Sequence, residues 1–261
     1  MELGQVSPLA LAGMGFSLAV VMLLPVVLCI LLVTRFHARA GAFLSGILIF
    51  VVFAMVLEPM LHDLVLGSNR ALFEQNIWLY AFYGGLAAAV FEETGRWLGM
   101  KYLVKSRRPA DAVAYGVGHG GVEALLLVGF TYLSNLMVSL AINDGSILQN
   151  LNAMDAATAE TYLAQISLLW TTPAYQFLLA GVERMLAIAL QVGLSVLVWR
   201  AVCTGIKAYW LLAFVVHFAV DAALVVAANF LPLLLVELLL AAVVALLWLG
   251  MILPVLRRSA C

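Results

Sequence analysis

The sequence predicts an all-α fold, a polytopic bundle of about seven transmembrane helices that forms a single integral membrane domain over residues 1–261. The chain is 66% hydrophobic and only 10% charged, with a mean hydropathy of +1.11, and soluble domains of this length do not have that composition. Its apolar runs are also continuous, which favours helices over the alternating strands of a membrane barrel. Each run is long enough to provide the roughly 20 residues that a helix needs to cross a bilayer.

The apolar runs give the order of the predicted spans. They cover residues 9–34, 41–66, 77–104, 110–142, 174–202, 209–230 and 233–256. The longest connection between them, residues 143–173, is polar, and we expect it to contain a short amphipathic helix at the membrane surface. The first run lacks a basic flank and a small-residue cleavage site, so we expect it to be retained.

Basic residues predict the orientation in the plasma membrane. Of the 13 Lys and Arg residues, ten lie at one set of predicted span ends, and Arg70 lies at the opposite set. The positive-inside rule therefore predicts an extracytoplasmic N-terminus and a cytoplasmic C-terminus. The ten are Arg35, Arg39, Lys101, Lys105, Arg107, Arg108, Arg200, Lys207, Arg257 and Arg258.

Four successive predicted spans contain ionisable residues, although each such group costs about 2.5–3.5 kcal/mol at membrane depth on insertion scales. They are Glu92, Glu93 and Arg96 in the third span, His119 and Glu123 in the fourth, Glu183 and Arg184 in the fifth, and His217 and Asp221 in the sixth. Groups retained at that cost face a bundle interior and mark functional sites.

Their spacing indicates one shared site. His119 and Glu123 are four residues apart, as are His217 and Asp221, so each pair lies on one helix face. Both histidines lie about 12–14 Å from the predicted cytoplasmic span ends, at 1.5 Å per residue. We therefore predict a polar site in the cytoplasmic half of the bilayer. A glutamate oxygen and an imidazole nitrogen bridged by one water would lie about 4–6 Å apart.

Other charged residues have simpler interpretations. Arg96 is expected to be the counter-ion of a glutamate. Glu183 and Arg184 could form a structural pair or belong to the site. Four further residues lie toward span ends, where an interfacial or structural role is expected: Glu58, His62, Asp63 and Glu237.

The ordered motifs resemble those of the intramembrane protease superfamily that includes type II CAAX prenyl endopeptidases and PrsW proteases. That superfamily has Glu-Glu followed by Arg or Lys, then Phe-x-x-x-His, then His-x-x-x-Asn or Asp, on successive helices. The counterparts here are Glu92-Glu93-x-x-Arg96, Tyr115-x-x-x-His119 and His217-x-x-x-Asp221. The short spacing to Arg96 and the additional Glu123 are most similar to the YhfC-type membrane peptidases.

The resemblance implies an intramembrane endopeptidase of glutamic type, with catalytic helices between about residues 77 and 230. Glu92 or Glu93 would be the base that activates a water, and His119 would hold the same water. His217 would stabilise the oxyanion, supported by Asp221. Where CAAX enzymes commonly have Asn, the carboxylate of Asp221 would have to be protonated to donate, or would orient His217 instead.

Several alternatives remain open at the level of sequence. We expect the protein to use no cofactor. An alternative is a zinc ion bound by His119, His217 and one carboxylate. The same cluster could serve a proton-coupled transporter, or an inactive scaffold. The expected partners are the lipid bilayer and a membrane-embedded peptide or protein. Nothing in the sequence indicates nucleic acid binding, and the sequence gives no oligomeric state.

The basic-residue asymmetry gives a direct test of orientation. A reporter that is active only outside the cytoplasm, fused after Arg258, is expected to be silent. The same reporter inserted in the loop at residues 143–173 is expected to be active. Activity of the C-terminal fusion would reverse the predicted orientation and move the polar site to the opposite leaflet.

Overall fold

The computed structural model describes residues 4–257, and over that range the chain is helical, which confirms the predicted all-α class. The α-helices are α1 (Pro8–Phe36), α2 (Ala40–Val52), α3 (Glu58–Glu74), α4 (Ile77–Leu98), α5 (Pro109–Ala124), α6 (Phe130–Asn143), α7 (Ile147–Asn152), α8 (Ala156–Thr171), α9 (Ala174–Thr204), α10 (Ala208–Phe230), α11 (Leu233–Leu247) and α12 (Leu253–Arg257). Wider π-helical segments interrupt the long helices at Phe53–Leu57, Gly99–Val104, Leu125–Gly129 and Trp248–Ile252.

Among the described residues, 6 helical segments are long and apolar enough to cross a membrane. They are Pro8–Phe36, Ala40–Gly67, Pro109–Asn143, Ala174–Thr204, Ala208–Phe230 and Leu233–Arg257. Six of the predicted spans match these segments. The third predicted span forms α4 and the following π-helical segment, and the charged residues of α4 reduce its apolar character. The polar connection contains two helices, α7 and α8, where a single short one is predicted.

The chain divides into two compact units. The larger comprises residues 25–123 and from 186 onward, and its hydrophobic core includes Met100, Tyr115, Leu197, Trp199 and Ile252. This unit contains α4, α5 and α10, the helices that carry the predicted motifs. It is therefore the unit that builds the candidate site.

The smaller unit comprises residues 4–24 and 124–185 and has its own core, which includes Met14, Ile142 and Leu169. The Asn143 side chain accepts a hydrogen bond from Val6 N at 2.8 Å and donates one to Val6 O at 2.9 Å. These two bonds satisfy the backbone N–H and C=O groups of Val6, just before α1.

Glycines on α5 bring its backbone against two neighbouring helices of the larger unit. A Cβ atom at Gly118 would lie 2.0 Å from the carbonyl oxygen of Phe43 on α2. A Cβ atom at Gly116 would lie 2.6 Å from the Cα atom of Val192 on α9. Since a methyl group does not fit at either position, glycine allows the helices to approach closely. His119 lies between these contacts and Glu123, so this packing fixes its position.

This packing predicts that Gly118→Ala destabilises the fold. The added methyl would clash with a backbone carbonyl that cannot move alone, and overpacking of this kind typically costs about 1–3 kcal/mol. Gly84→Ala on α4 is the matched control, because a Cβ atom there meets nothing within 4 Å. The measurement is the thermal unfolding temperature in detergent. Equal unfolding temperatures for the two variants would show that the close approach is not required.

Candidate active site

The Arg96 guanidinium lies at the centre of the site and is fully buried. Its Nη1 atom donates to the backbone oxygen of Gln191 at 2.8 Å and to Ser195 Oγ at 2.6 Å. Its Nη2 atom donates to the side-chain oxygen of Gln191. Its Nε atom lies 3.2 Å from Glu93 Oε2, an ion pair without hydrogen-bond geometry. Arg96 therefore joins α4 to α9 and offsets the charge of a buried glutamate.

Glu92 faces both histidines. Its Oε2 atom lies 2.8 Å from His119 Nε2 and 3.9 Å from His217 Nε2, and all three side chains are buried. We expected a glutamate oxygen and an imidazole nitrogen to lie about 4–6 Å apart, with one water between them. This expectation is wrong for Glu92 and His119, because their side chains contact each other directly. A water could enter between Glu92 and His119 only if one of the side chains moved.

Glu93 contacts a different histidine atom. Its Oε1 atom lies 2.7 Å from His217 Nδ1, so Glu93 orients the ring and leaves Nε2 directed toward Glu92. Asp221 Oδ2 lies 3.4 Å from the same Nε2 atom, and the Asp221 side chain is 34% exposed. Glu93 and Asp221 therefore contact opposite nitrogens of His217.

Glu123 reaches the cluster through Gln191, a residue that the motif analysis missed. Gln191 Nε2 donates to Glu123 Oε2 at 2.7 Å and to Glu92 Oε2 at 3.2 Å. Gln191 and Ser195 are four residues apart in an otherwise apolar part of α9. This spacing, which places both side chains on one helix face, was the sequence signal that could have identified them. Amide and hydroxyl groups at that spacing are easily overlooked because they are uncharged.

Glu58 also belongs to this polar region, and the interfacial or structural role expected for it stays a prediction. The residue is buried at the start of α3 and lies within electrostatic range of Glu92, His217 and Asp221. Its Oε1 atom lies 3.2 Å from His62 Nε2. The π-helical segment Phe53–Leu57 immediately precedes it, and such a segment changes the direction in which later side chains point.

The larger unit brings all of the predicted site residues into one connected cluster. They are Glu92, Glu93, Arg96, His119, Glu123, His217 and Asp221. In the other unit, Glu183 and Arg184 form hydrogen bonds to each other.

The site has donors that suit a divalent metal. One donor atom from each of Glu92, His119 and Glu123 lies within 4.8 Å of the others. His119 Nδ1 is buried and has no hydrogen-bond partner within the described part of the chain. Carboxylate oxygen and imidazole nitrogen are ordinary zinc ligands, so the residues fit the ion. Arg96 Nη2 lies 3.3 Å from His119 Nε2. A metal ion bound to His119 Nε2 would therefore lie beside the positively charged guanidinium.

The fold and site define a multi-pass helical membrane protein with a buried glutamate–histidine–arginine centre. The chain belongs to the YhfC intramembrane metalloprotease family, whose profile it matches over residues 20–245. It is 36% identical over 217 residues to the Uncharacterized membrane protein YhfC of Bacillus subtilis (strain 168). The aligned region covers 82% of this chain and 83% of the relative. No solved structure matches the chain. The resemblance to YhfC-type peptidases is confirmed, whereas kinship with CAAX and PrsW enzymes stays a prediction.

Proposed function

We propose that the protein is an intramembrane endopeptidase that hydrolyses peptide bonds of membrane-associated or lipidated substrates with a water activated by Glu92 and His119. The observation that carries the proposal is the position of Glu92 Oε2, which faces the Nε2 atoms of His119 and His217 at 2.8 and 3.9 Å. Membership of an intramembrane protease family supports the reaction class.

In the proposed reaction, Glu92 takes a proton from the water that His119 holds. The resulting hydroxide attacks the carbonyl carbon of the substrate and forms a tetrahedral oxyanion. His217, with a proton on Nε2, would donate to that oxyanion. Glu92 then returns its proton to the leaving amine as the carbon–nitrogen bond breaks, which leaves a carboxyl group and a free amine.

Glu93 and Arg96 are positioning residues in this scheme. Glu93 holds His217 through Nδ1 at 2.7 Å, which directs Nε2 toward the reacting atoms. Arg96 pairs with Glu93 at 3.2 Å and lies 3.7 Å from Glu92, so it offsets two adjacent negative charges. This arrangement supports Glu92, rather than Glu93, as the base.

The same residues are suited to hold a metal. Glu92, His119 and Glu123 would be its ligands. A divalent metal in a site of this kind lowers the pKa of a bound water and polarises the scissile carbonyl. Gln191 would then keep its role of fixing the orientation of both carboxylates, at 3.2 and 2.7 Å.

We also propose that the substrate is a peptide or protein embedded in the lipid bilayer and that the C-terminus is cytoplasmic. The site residues lie on helices that are largely apolar, and the distribution of basic residues supports the orientation. A substrate segment would therefore have to approach from the membrane.

Substitution of the base tests the proposed roles. Glu92→Gln nearly preserves shape but removes the base, so cleavage of membrane peptides is expected to fall roughly 10²–10⁴-fold with little change in unfolding temperature. Glu93→Gln is expected to retain more activity, because the amide oxygen can still accept from His217. Glu160→Gln, an exposed carboxylate on α8, is the matched control. Wild-type cleavage by a folded Glu92→Gln variant would eliminate Glu92 as the base.

Metal removal separates the two ways of activating water. If Glu92 and His119 act directly, cleavage is expected to survive exhaustive chelation of the purified protein. Metal content before and after chelation is measured on the same samples. Stoichiometric zinc, with activity lost on its removal and restored on re-addition, would instead assign Glu92, His119 and Glu123 as ligands.

A further inference from the structure

A cavity lies in the larger unit at the ends of three helices, apart from the residues of the candidate active site. Its volume is about 430 Å³, and its walls come from the end of α4, the π-helical segment that follows it, the end of α9, the short connection after α9 and the start of α10. This is the side on which the sequence places ten basic residues. The cavity is lined mainly by apolar and aromatic groups, among them Trp97 and Trp210.

The charged residues that line this cavity are both cationic. They are Lys101 and Lys207, and its remaining lining residues carry no charge. Lys101 Nζ lies 4.4 Å from the centre of the Trp97 ring and 5.2 Å from that of Tyr102. These cation–π contacts hold the ammonium group beside an apolar wall. Thr94 adds a hydroxyl group to the lining.

This combination fits an amphipathic anion. Two ammonium groups match a phosphate diester, and the aromatic walls match the glycerol and upper acyl region attached to it. Basic pockets between transmembrane helices bind anionic headgroups in this way, and Trp and Lys favour the interfacial depth. The bilayer itself supplies such a ligand at the same level as the helix ends.

The cavity is also joined to the catalytic helix. Trp210 lines it, and the indole nitrogen of Trp210 donates to the backbone oxygen of Glu93 at 3.0 Å. Thr94 follows Glu93 directly in the chain. A ligand packed against Trp210 would therefore contact the residue that ties α10 to α4 beside the glutamate pair.

We propose that the cavity lined by Trp97, Lys101, Lys207 and Trp210 is a binding site for the headgroup of an anionic phospholipid. Its occupant would stabilise the junction of α4 and α10. The proposal concerns binding and does not depend on whether the protein cleaves peptides.

Purified full-length protein in neutral detergent provides the test. Phosphatidylglycerol, phosphatidylcholine or soluble glycerol 1-phosphate is added, the rise in unfolding temperature is recorded, and bound lipids are counted by native mass spectrometry. Phosphatidylglycerol is expected to stabilise the protein more than phosphatidylcholine. The Lys101→Gln/Lys207→Gln variant should bind it about twenty-five-fold more weakly, since each lysine near an anionic lipid contributes roughly a factor of five.

The matched control is Lys105→Gln/Arg107→Gln. It removes the same number of charges from exposed positions on the same predicted side, outside the residues that line the cavity. Wild-type affinity in this control, together with loss in the lysine pair, supports the site. Equal loss in both variants would indicate general surface attraction and overturn the proposal. It would also be overturned by unchanged binding in the lysine pair, or by glycerol 1-phosphate stabilising as strongly as the lipid.

Discussion

Burial of the Arg96 guanidinium is the constraint on which the organisation of the larger unit depends. A guanidinium cannot lose its proton in a protein, so a buried one must be surrounded by acceptors. Arg96 finds acceptors in Ser195 and in both oxygens of Gln191, and it forms an ion pair with Glu93. Because these partners lie on α4 and α9, the positions of the two helices are coupled through a single side chain. The glycine contacts of α5 then bring His119 to the same place.

The same arginine gives two adjacent glutamates different surroundings. Neighbouring residues on a helix point about 100° apart, so Glu92 and Glu93 approach Arg96 and His217 from different directions and meet different atoms of each. Glu93 is enclosed between Arg96 and His217 Nδ1, with both carboxylate oxygens in contact. Glu92 turns toward the two Nε2 atoms and lies 3.7 Å from the guanidinium. Glu93 thereby holds the site together, whereas Glu92 faces the two histidine nitrogens that can exchange a proton.

Periodicity predicted the helical class, the approximate spans and the spacing within each motif, because these depend on side chains of a regular α-helix. It did not predict the placement of Glu58. That residue follows the π-helical segment Phe53–Leu57, and an additional residue in one turn rotates everything beyond it by about 100°. Gln191 and Ser195 were missed for another reason. Neutral polar residues are inexpensive in a membrane helix, so their presence in an apolar run is a weak signal.

Three of the π-helical segments adjoin residues of the polar region. Phe53–Leu57 precedes Glu58, Gly99–Val104 follows shortly after Arg96, and Leu125–Gly129 follows shortly after Glu123. π-Helical turns have wider, less regular hydrogen bonding, and they recur at functional sites. Direct contact between Glu92 and His119 at 2.8 Å leaves no room for a water between them, so the proposed chemistry requires a small opening of the cluster. The close glycine contacts of α5 with α2 and α9 resist a movement of His119. Glu92 lies on α4, which continues into the π-helical segment Gly99–Val104, so the opening is expected to come from the side of Glu92 rather than from His119.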